Sequence, residues 1–458
     1  MNKSVPRVLK GLGILVVFFL FLTSSIKVEA ASERVSRISG ERRFETAVSI
    51  SNSGWSQANT VMITDSHNFA DALAGVPLAH QLDAPILLAR GNQLEPVVRA
   101  EIGRLNASRV IILGGRSAVS EEIERELTAL GLVTERLEGE TRFDTAQVIA
   151  RELVALTNST EAAIVNGYDF ADAMSVASFA AMQGMPVYLS RGNELPAGVS
   201  FNSYQRTYII GGEEAITNNV VSQLNNPTRL AGPTRYETNQ SVIDYFNINS
   251  DHIYVATGRQ FPDSLTGSVL AAKEGSPIVL TNQNEPTRIR SYISVSPWSR
   301  FTLFGGEAVV NRETHDVMLD QAVVSEMEDH IFMRTNELRR TNSLSSLEQQ
   351  PLLRKGARIR SRELIEQFSH TRPDGLSFGT IFEDINYSTN GAGENIAYIS
   401  VPSINLENQS LEYAQNIYDL WRESPGHYEN MIRPSYNFLG VGLYIDRNRV
   451  NGTQLLSN

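Results

Sequence analysis

One phrase occurs three times in this chain: NFADALAGVPLA at 68–79, DFADAMSVASFA at 169–180 and QFPDSLTGSVLA at 260–271. It belongs to a longer grammar. Each unit opens with RISGERRFETA (37–47), RLEGETRFDTA (136–146) or RLAGPTRYETN (229–239). The phrase follows, then a proline-led apolar run (Pro85-Ile-Leu-Leu, Pro186-Val-Tyr-Leu, Pro277-Ile-Val-Leu), then an apolar run ending in a glycine pair at Gly115, Gly212 and Gly306. Arg136 lies 99 residues after Arg37, and Arg229 lies 93 after Arg136. Four landmarks in one order, three times over, define internal repeats, so each unit must be the same small supersecondary assembly.

The character of one unit follows from its periodicity. TVMIT, PILLA and RVIIL are short, continuously apolar runs bounded by turn residues, as strands buried on both faces of a parallel sheet require. Segments of helical spacing, FADALAGVPLAHQL and EEIERELTALG, lie between them. The alternation predicts a small α/β lobe per unit with right-handed crossovers. Ser120, Thr217 and Asn311 follow the glycine pairs as helix caps, the first with Glu121 and Glu122 in its opening turn. Asp71, Asp172 and Asp263 stand where a loop turns into a helix and read as caps or turn-formers, with ligand contact as the other reading. The glycine pairs fit neither GxGxxG nor GxxxxGK[ST], so nucleotide binding is set aside.

With 458 residues the chain is too long for one ordinary core, and several domains are expected. Residues 1–30 place Lys3, Arg7 and Lys10 before an apolar run, Leu12 to Leu22, followed by a small-residue end at Val28-Glu29-Ala30, the pattern of a secretory signal peptide cut after Ala30. No later stretch is apolar for long enough to span a bilayer, so a secreted protein is expected. Cysteine is absent, which excludes a disulfide framework, a thiol nucleophile and thiolate metal ligands. The net charge is −11; the signal segment holds four Lys/Arg and one acid, a +3 contribution, so the remainder carries −14. So acidic a chain argues against nucleic acid as a partner. After Ala30 the lysines are Lys273 and Lys355, against 34 arginines. This bias fits an alkaline or saline exterior or an anionic ligand, since arginine stays charged and grips oxyanions with a planar fork. A codon bias is the other reading.

The repeat landmarks resemble the cell wall-binding repeat type 2 family of exported Gram-positive proteins. The resemblance implies a three-lobed α/β module, 37–130, 136–224 and 229–320, that holds proteins non-covalently to the wall by binding an anionic polymer, in association with peptidoglycan at the cell surface. It places the Pro-Ile-Leu-Leu motif near the binding surface. That motif is intact at Pro85, Ile86, Leu87 and Leu88, while the second copy has Val187 and Tyr188 and the third Val279. An acidic protein needs local basic groups to hold an anionic polymer. The repeated Arg42, Arg142 and Arg235, with Arg37, Arg136 and Arg229, are the candidates; the alternative is that they pair with Glu45, Asp144 and Glu237 at helical spacing. Three linked weak sites suit a repetitive ligand through avidity.

From about 327 the grammar changes. EMEDHIFMRTNELRR, PLLRKGARIRSRELIEQ and SLEYAQNIYDLW read as helices, FLGVGLYI and GTQLL as strands, which predicts an α+β sandwich over 327–458. FSHTRPDG, GENIA and WRESPGHYENMI, in that order, resemble the bacterial branch of the CAP superfamily (cysteine-rich secretory, antigen 5 and pathogenesis-related proteins). The resemblance implies a cleft containing His370, Glu394 and His427. Two imidazoles and a carboxylate make a zinc set with positions left for water, or a hydrogen-bonded cluster without metal. The family's second acid falls on Ser424 here, with Glu423 facing about 100° away. Ser369 and Ser424 adjoin the histidines, but no GxSxG turn or HExxH motif accompanies them. The expected activity is therefore ligand binding. The alternatives are a wall-associated hydrolase working through His370, Glu394 and His427, and a structural or adhesive surface-layer component. Overall the sequence predicts three consecutive α/β parallel-sheet lobes followed by an α-β-α CAP domain.

Overall fold

The computed structural model describes residues 30–458 apart from 69–71 and 73, so the signal segment and Asp71 lie outside the described residues. Three four-stranded sheets, all parallel, carry the repeats. The first has the order Ile86–Ala89, Thr60–Asp65, Arg109–Leu113, Val133–Leu137. The second has Val187–Ser190, Glu161–Asn166, Arg206–Ile210, Pro227–Leu230. In the third, Ile278–Thr281, His252–Thr257 and Arg300–Phe304 are completed by Val35–Ile38.

The sequence repeat and the structural lobe are thus out of phase by one strand. The opening phrase of the second repeat is the edge strand of the first sheet, and that of the third repeat is the edge strand of the second. The first repeat has no predecessor, and its strand pairs instead with Arg300–Phe304, Ile38 opposite Phe304. The equivalent pairs are Leu137 with Leu113 and Leu230 with Ile210. A linear array of three lobes is thereby closed into a ring.

The threefold phrase lies at the centre of that ring. Helices Gly75–Gln81, Ala171–Met182 and Pro262–Lys273 pack against one another. A helix surrounded on every side must be apolar or small all round. Residues Ala173 through Ala181 are all buried, serines included, and Ser175 Oγ donates to the Ala171 carbonyl at 2.9 Å. Phe170 and Phe261, from equivalent places in two copies of the phrase, bring their ring centroids within 6.2 Å.

One helix, Arg312–Thr341, runs from the third lobe into the C-terminal domain without interruption; the sequence placed its second half there as a separate element. Asn311 caps it, accepting from Thr314 N–H at 3.0 Å. The domain itself is a mixed sheet in the order Glu348–Gln349, Phe438–Asp446, Arg449–Ser457, Ala392–Ser400, with helix Pro351–Glu363 on one face and Leu406–Glu423 with the long helix on the other. The glycines of FLGVGLY have a packing cause: a side chain at Gly442 would collide with the backbone of Ala357 and Arg358, where helix and strand touch.

The two parts are locked. Arg358 is fully buried and donates to Glu328 (2.8 and 2.7 Å) and Ser325 (2.9 Å) of the long helix and to the Trp298 carbonyl (2.8 Å) of the third lobe. Glu328 also accepts from Leu443 N–H at 3.0 Å. Asp329, one residue on, takes Arg34 at 2.7 Å and Arg354.

A chain beginning at Ser39 tests ring closure. It leaves strand 300–304 with a free edge, and amide hydrogen exchange there should quicken at least ~10-fold relative to strand 109–113, whose partners remain. Unchanged protection would show that the closing strand does not hold the third sheet.

Candidate functional site

The lobes carry their polar loops at the carboxyl ends of the parallel strands, the end at which open α/β sheets place ligands. The arginines cluster there. Arg37, Arg136 and Arg229 donate to the carbonyls of Gly305, Gly114 and Gly211 at 2.6, 2.8 and 2.7 Å, in each lobe the first glycine of the pair. These glycines take φ of 93°, 103° and 111°, which other residues rarely adopt. The three arginines are clamps on a turn.

The second set needs a register correction. Arg43, not Arg42, occupies the place of Arg142 and Arg235, and all three bind the carbonyl that ends the central strand of their lobe: Ser66, Gly167 (3.1 Å) and Gly258 (2.8 Å). Arg42 stands at the helix N-cap, where the other repeats have Thr141 and Thr234. The acids at helical spacing behave differently from the expected pairing. Asp144 and Glu237 accept from the Thr141 and Thr234 N–H groups at 3.0 and 3.1 Å, closing capping boxes, while Glu45 does this for Arg42 and pairs with its guanidinium at 2.6 Å. Arg42 remains half-exposed.

Ile86, Leu87 and Leu88 lie in the outer strand of the first sheet and Pro85 just precedes it, and all four are buried. Their side chains belong to the lobe core and present no surface. A functional candidate stands two residues beyond the motif: Arg90 and its equivalent Arg191 lie over the Phe44 and Phe143 rings at 5.6 and 4.2 Å. An Arg-Gly step after the apolar run in two of three copies was the available signal. Arg42, Arg43 and Arg90 line a cavity of about 360 Å³ together with His67, Asp263 and Gly306, where the first lobe meets the third.

Asp172 and Asp263 are not N-caps, those places being held by Phe170 and Phe261. Asp169 Oδ1 accepts from Ala171 N–H at 3.1 Å, while Asp172 and Asp263 sit in the first helical turn against Gly211 and Gly305. Burial pushes both carboxyls up to about 6; the Asp169 charge adds to this at Asp172, and Arg235 and Arg43 oppose it.

In the C-terminal domain, His370 Nδ1 and Glu394 Oε2 are 2.7 Å apart, and Arg360 Nε donates to Glu394 Oε1 at 2.7 Å. Glu394 and Arg360 are buried and His370 is half-exposed. Arg360 also donates to the Ser369 carbonyl at 2.8 Å, which fixes the loop bearing His370. Arg372 binds Glu363 and Asp384, each at 2.7 Å, and thereby shapes the same turn. From the other side of the edge strand Ala392–Ser400, Asn395 Nδ2 donates to the His427 carbonyl at 3.1 Å and to Gln454 at 3.0 Å. Burial, and secondarily the nearby charge of His370, hold His427 below the ordinary imidazole range, and its Nδ1 is buried without a partner. The structure thus brings the three cleft residues together. Arg360 and Asn395 were missed, although two polar residues within GENIA, flanked by apolar ones, were a signal.

Glu394 does not fit the role of third metal ligand. Both its oxygens are committed, and the adjacent guanidinium repels a dication. Among the described residues no three His, Asp or Glu side chains are grouped for a metal ion. Glu394 instead orients His370, leaving Nε2 toward the cleft. Glu423 is exposed and meets Arg422 at 3.4 Å. Ser369 Oγ accepts from Thr371 N–H at 3.0 Å and so caps a turn.

Residues 37–124, 136–221 and 229–315 match the cell wall binding domain 2 family, together more than half of the chain. The chain belongs to that family. Residues 332–455 match the cysteine-rich secretory protein (CAP) family. Among curated relatives, N-acetylmuramoyl-L-alanine amidase LytC of Bacillus subtilis is 31% identical over 315 residues, 68% of this chain and 63% of its own; the chain therefore spans less than two thirds of that relative. Cwp8 and Cwp6 from Clostridium difficile have solved structures that superpose with TM-scores of 0.56 and 0.57 at 32% and 29% identity. They cover 63% and 62% of this chain, and the matches span 52% and 48% of theirs. This is a cell wall-associated protein, and among the described residues no helix is long and apolar enough to cross a membrane.

Two outcomes check this geometry. Asp263 has a folded-state pKa above its unfolded one, so its ionisation opposes folding: the penalty is absent at low pH, grows from about pH 4 and is complete above about 6. Asp263→Asn should therefore gain stability relative to wild type as pH rises through that window, by at most about 3 kcal/mol in denaturant unfolding; a flat difference contradicts it. Glu394→Ala takes the buried carboxylate from Arg360, which keeps Glu363 and the Ser369 carbonyl, and should cost ~1.5–3 kcal/mol without any ligand present, whereas a purely ligand-binding carboxylate would leave the unfolding midpoint in place.

Proposed function

We propose that the protein is exported to a Gram-positive envelope, that its ring of lobes holds an anionic wall polymer, and that its CAP domain presents a ligand-binding cleft. The observation that carries this reading is the cavity between the first and third lobes, at strand carboxyl ends, with Arg42 and Arg90 both about half-exposed beside it. Glu95 lies 3.5 and 3.2 Å from them and Glu45 lies 2.6 Å from Arg42, yet each five-donor fork is only partly used and half-exposed, which leaves N–H groups to meet an oxyanion. A secreted protein of −14 charge binds such a polymer through local groups of this kind, and three junctions around one ring multiply weak contacts.

For the CAP cleft the supported activity is binding. His370 is oriented and burial lowers the basicity of His427, while Ser369 Oγ accepts from a turn N–H and has no histidine partner among the described residues. Hydrolysis of wall peptide or glycan is the second reading. It rests on the neutral imidazole of His427 beside an oriented His370, which together suit a water-activating base.

Co-sedimentation of the chain from residue 30 with purified walls, before and after acid extraction of anionic polymers, tests the anchor. Binding should require unextracted walls and weaken as salt rises. Arg42→Gln with Arg90→Gln should reduce it about tenfold or more. Equal sedimentation with extracted walls would remove the polymer from the reading.

A further inference from the structure

The second lobe departs from the other two at one place, and the ring supplies its own internal controls. In the first lobe an outer helix, Pro96–Arg104, covers helix Arg43–Gly54, and Asn52 donates to its Glu101 at 3.3 Å. In the third lobe helix Pro286–Ile293 lies in the same place, and its Tyr292 hydroxyl donates to Asp244 at 3.3 Å. In the second lobe this stretch reads Glu194-Leu-Pro-Ala-Gly198, Gly198 takes φ of 78°, and a single turn at Phe201–Ser203 replaces the helix.

The uncovered face leaves a cavity of about 500 Å³, within the usual size of small-molecule sites. Arg151 stands where the other repeats have Asn52 and Asp244, nine residues after Arg142 as they are after Arg43 and Arg235. With no outer helix to meet, it makes no hydrogen bond or ion pair among the described residues. Tyr188 replaces the Leu87 and Val279 of the other copies, and its hydroxyl lies 2.7 Å from that of Tyr204, both rings being buried. One of those two protons is spent between the hydroxyls, and the other remains to be donated. Gln147 and Ser200 add polar edges, and Val154 an apolar wall.

From a guanidinium without a partner, a phenol donor and a partly apolar wall, we infer that this cavity is a subsite for one hexose unit bearing a carboxylate or a phosphate. The fork of Arg151 takes the anionic group, the tyrosine pair and Gln147 meet ring hydroxyls, and Val154 faces the C–H side of the sugar. The assignment rests on the anionic-polymer reading for its biological source, though not for its chemistry. It also gives the second lobe a task that the other two, with their outer helices in place, cannot share.

Isothermal titration of the chain from residue 30 with glucuronic acid, glucose 6-phosphate and glucose tests it. At least one acidic sugar should bind in the millimolar range while glucose does not. Arg151→Gln, at an exposed position, should weaken binding about tenfold, and Tyr188→Phe, which keeps the ring, several-fold. Binding of the uronate alone or the phosphate alone assigns the anion. No acidic sugar bound, or equal affinity in Arg151→Gln, overturns the subsite. Wall co-sedimentation separates the two readings: walls bound without any sugar response leaves the anchor and removes the subsite, and an Arg151-dependent sugar response without wall binding does the reverse.

Discussion

The pairing of strand 35–38 with strand 300–304 is the contact on which the rest of the protein depends. Without it the chain is three lobes in a row, each handing one strand backward, with an unfilled edge on the third sheet. With it each lobe is bound to two neighbours and the inner helices enclose a common apolar centre. That centre explains the repeated phrase better than a ligand does. Alanine, glycine and serine recur because three helices that all face inward must approach closely, and Phe170 and Phe261 meet there because equivalent residues of a ring converge on its axis.

The arginine content finds much of its use inside the protein. Six arginines at repeat openings donate to main-chain carbonyls, and Arg339 alone reaches those of Ser345, Met431, Arg433 and Tyr436. A planar fork with five donors can hold several carbonyls at once, which a lysine ammonium does less well because its three donors radiate from one point. Composition could not distinguish this from adaptation to an anionic ligand, since the same fork serves both.

The fold class was legible because parallel strands buried on both faces leave unbroken apolar runs, and because threefold repetition removes chance. Ring closure was not, since Val35–Ile38 bears no mark of which neighbour it joins. The histidines and Glu394 could be placed by their phrases, yet Arg360 sits in a helix whose pattern records only that it is amphipathic, and its ion pair exists only once the sheet lies against it. The register of Arg43 was legible, since Arg43, Arg142 and Arg235 each stand six residues after the opening arginine and directly before an aromatic, and helix capping agrees with that spacing.

The long helix Arg312–Thr341 spans about 45 Å and is pinned at its middle by the buried Arg358, Glu328 and Trp298 contacts. A flexible tether would let a cleft sample a volume; this connection gives it one height and one heading relative to the ring. For a protein seated on a surface, encounter then becomes a matter of alignment. Any molecule that meets His370 and His427 would then have to arrive along that heading.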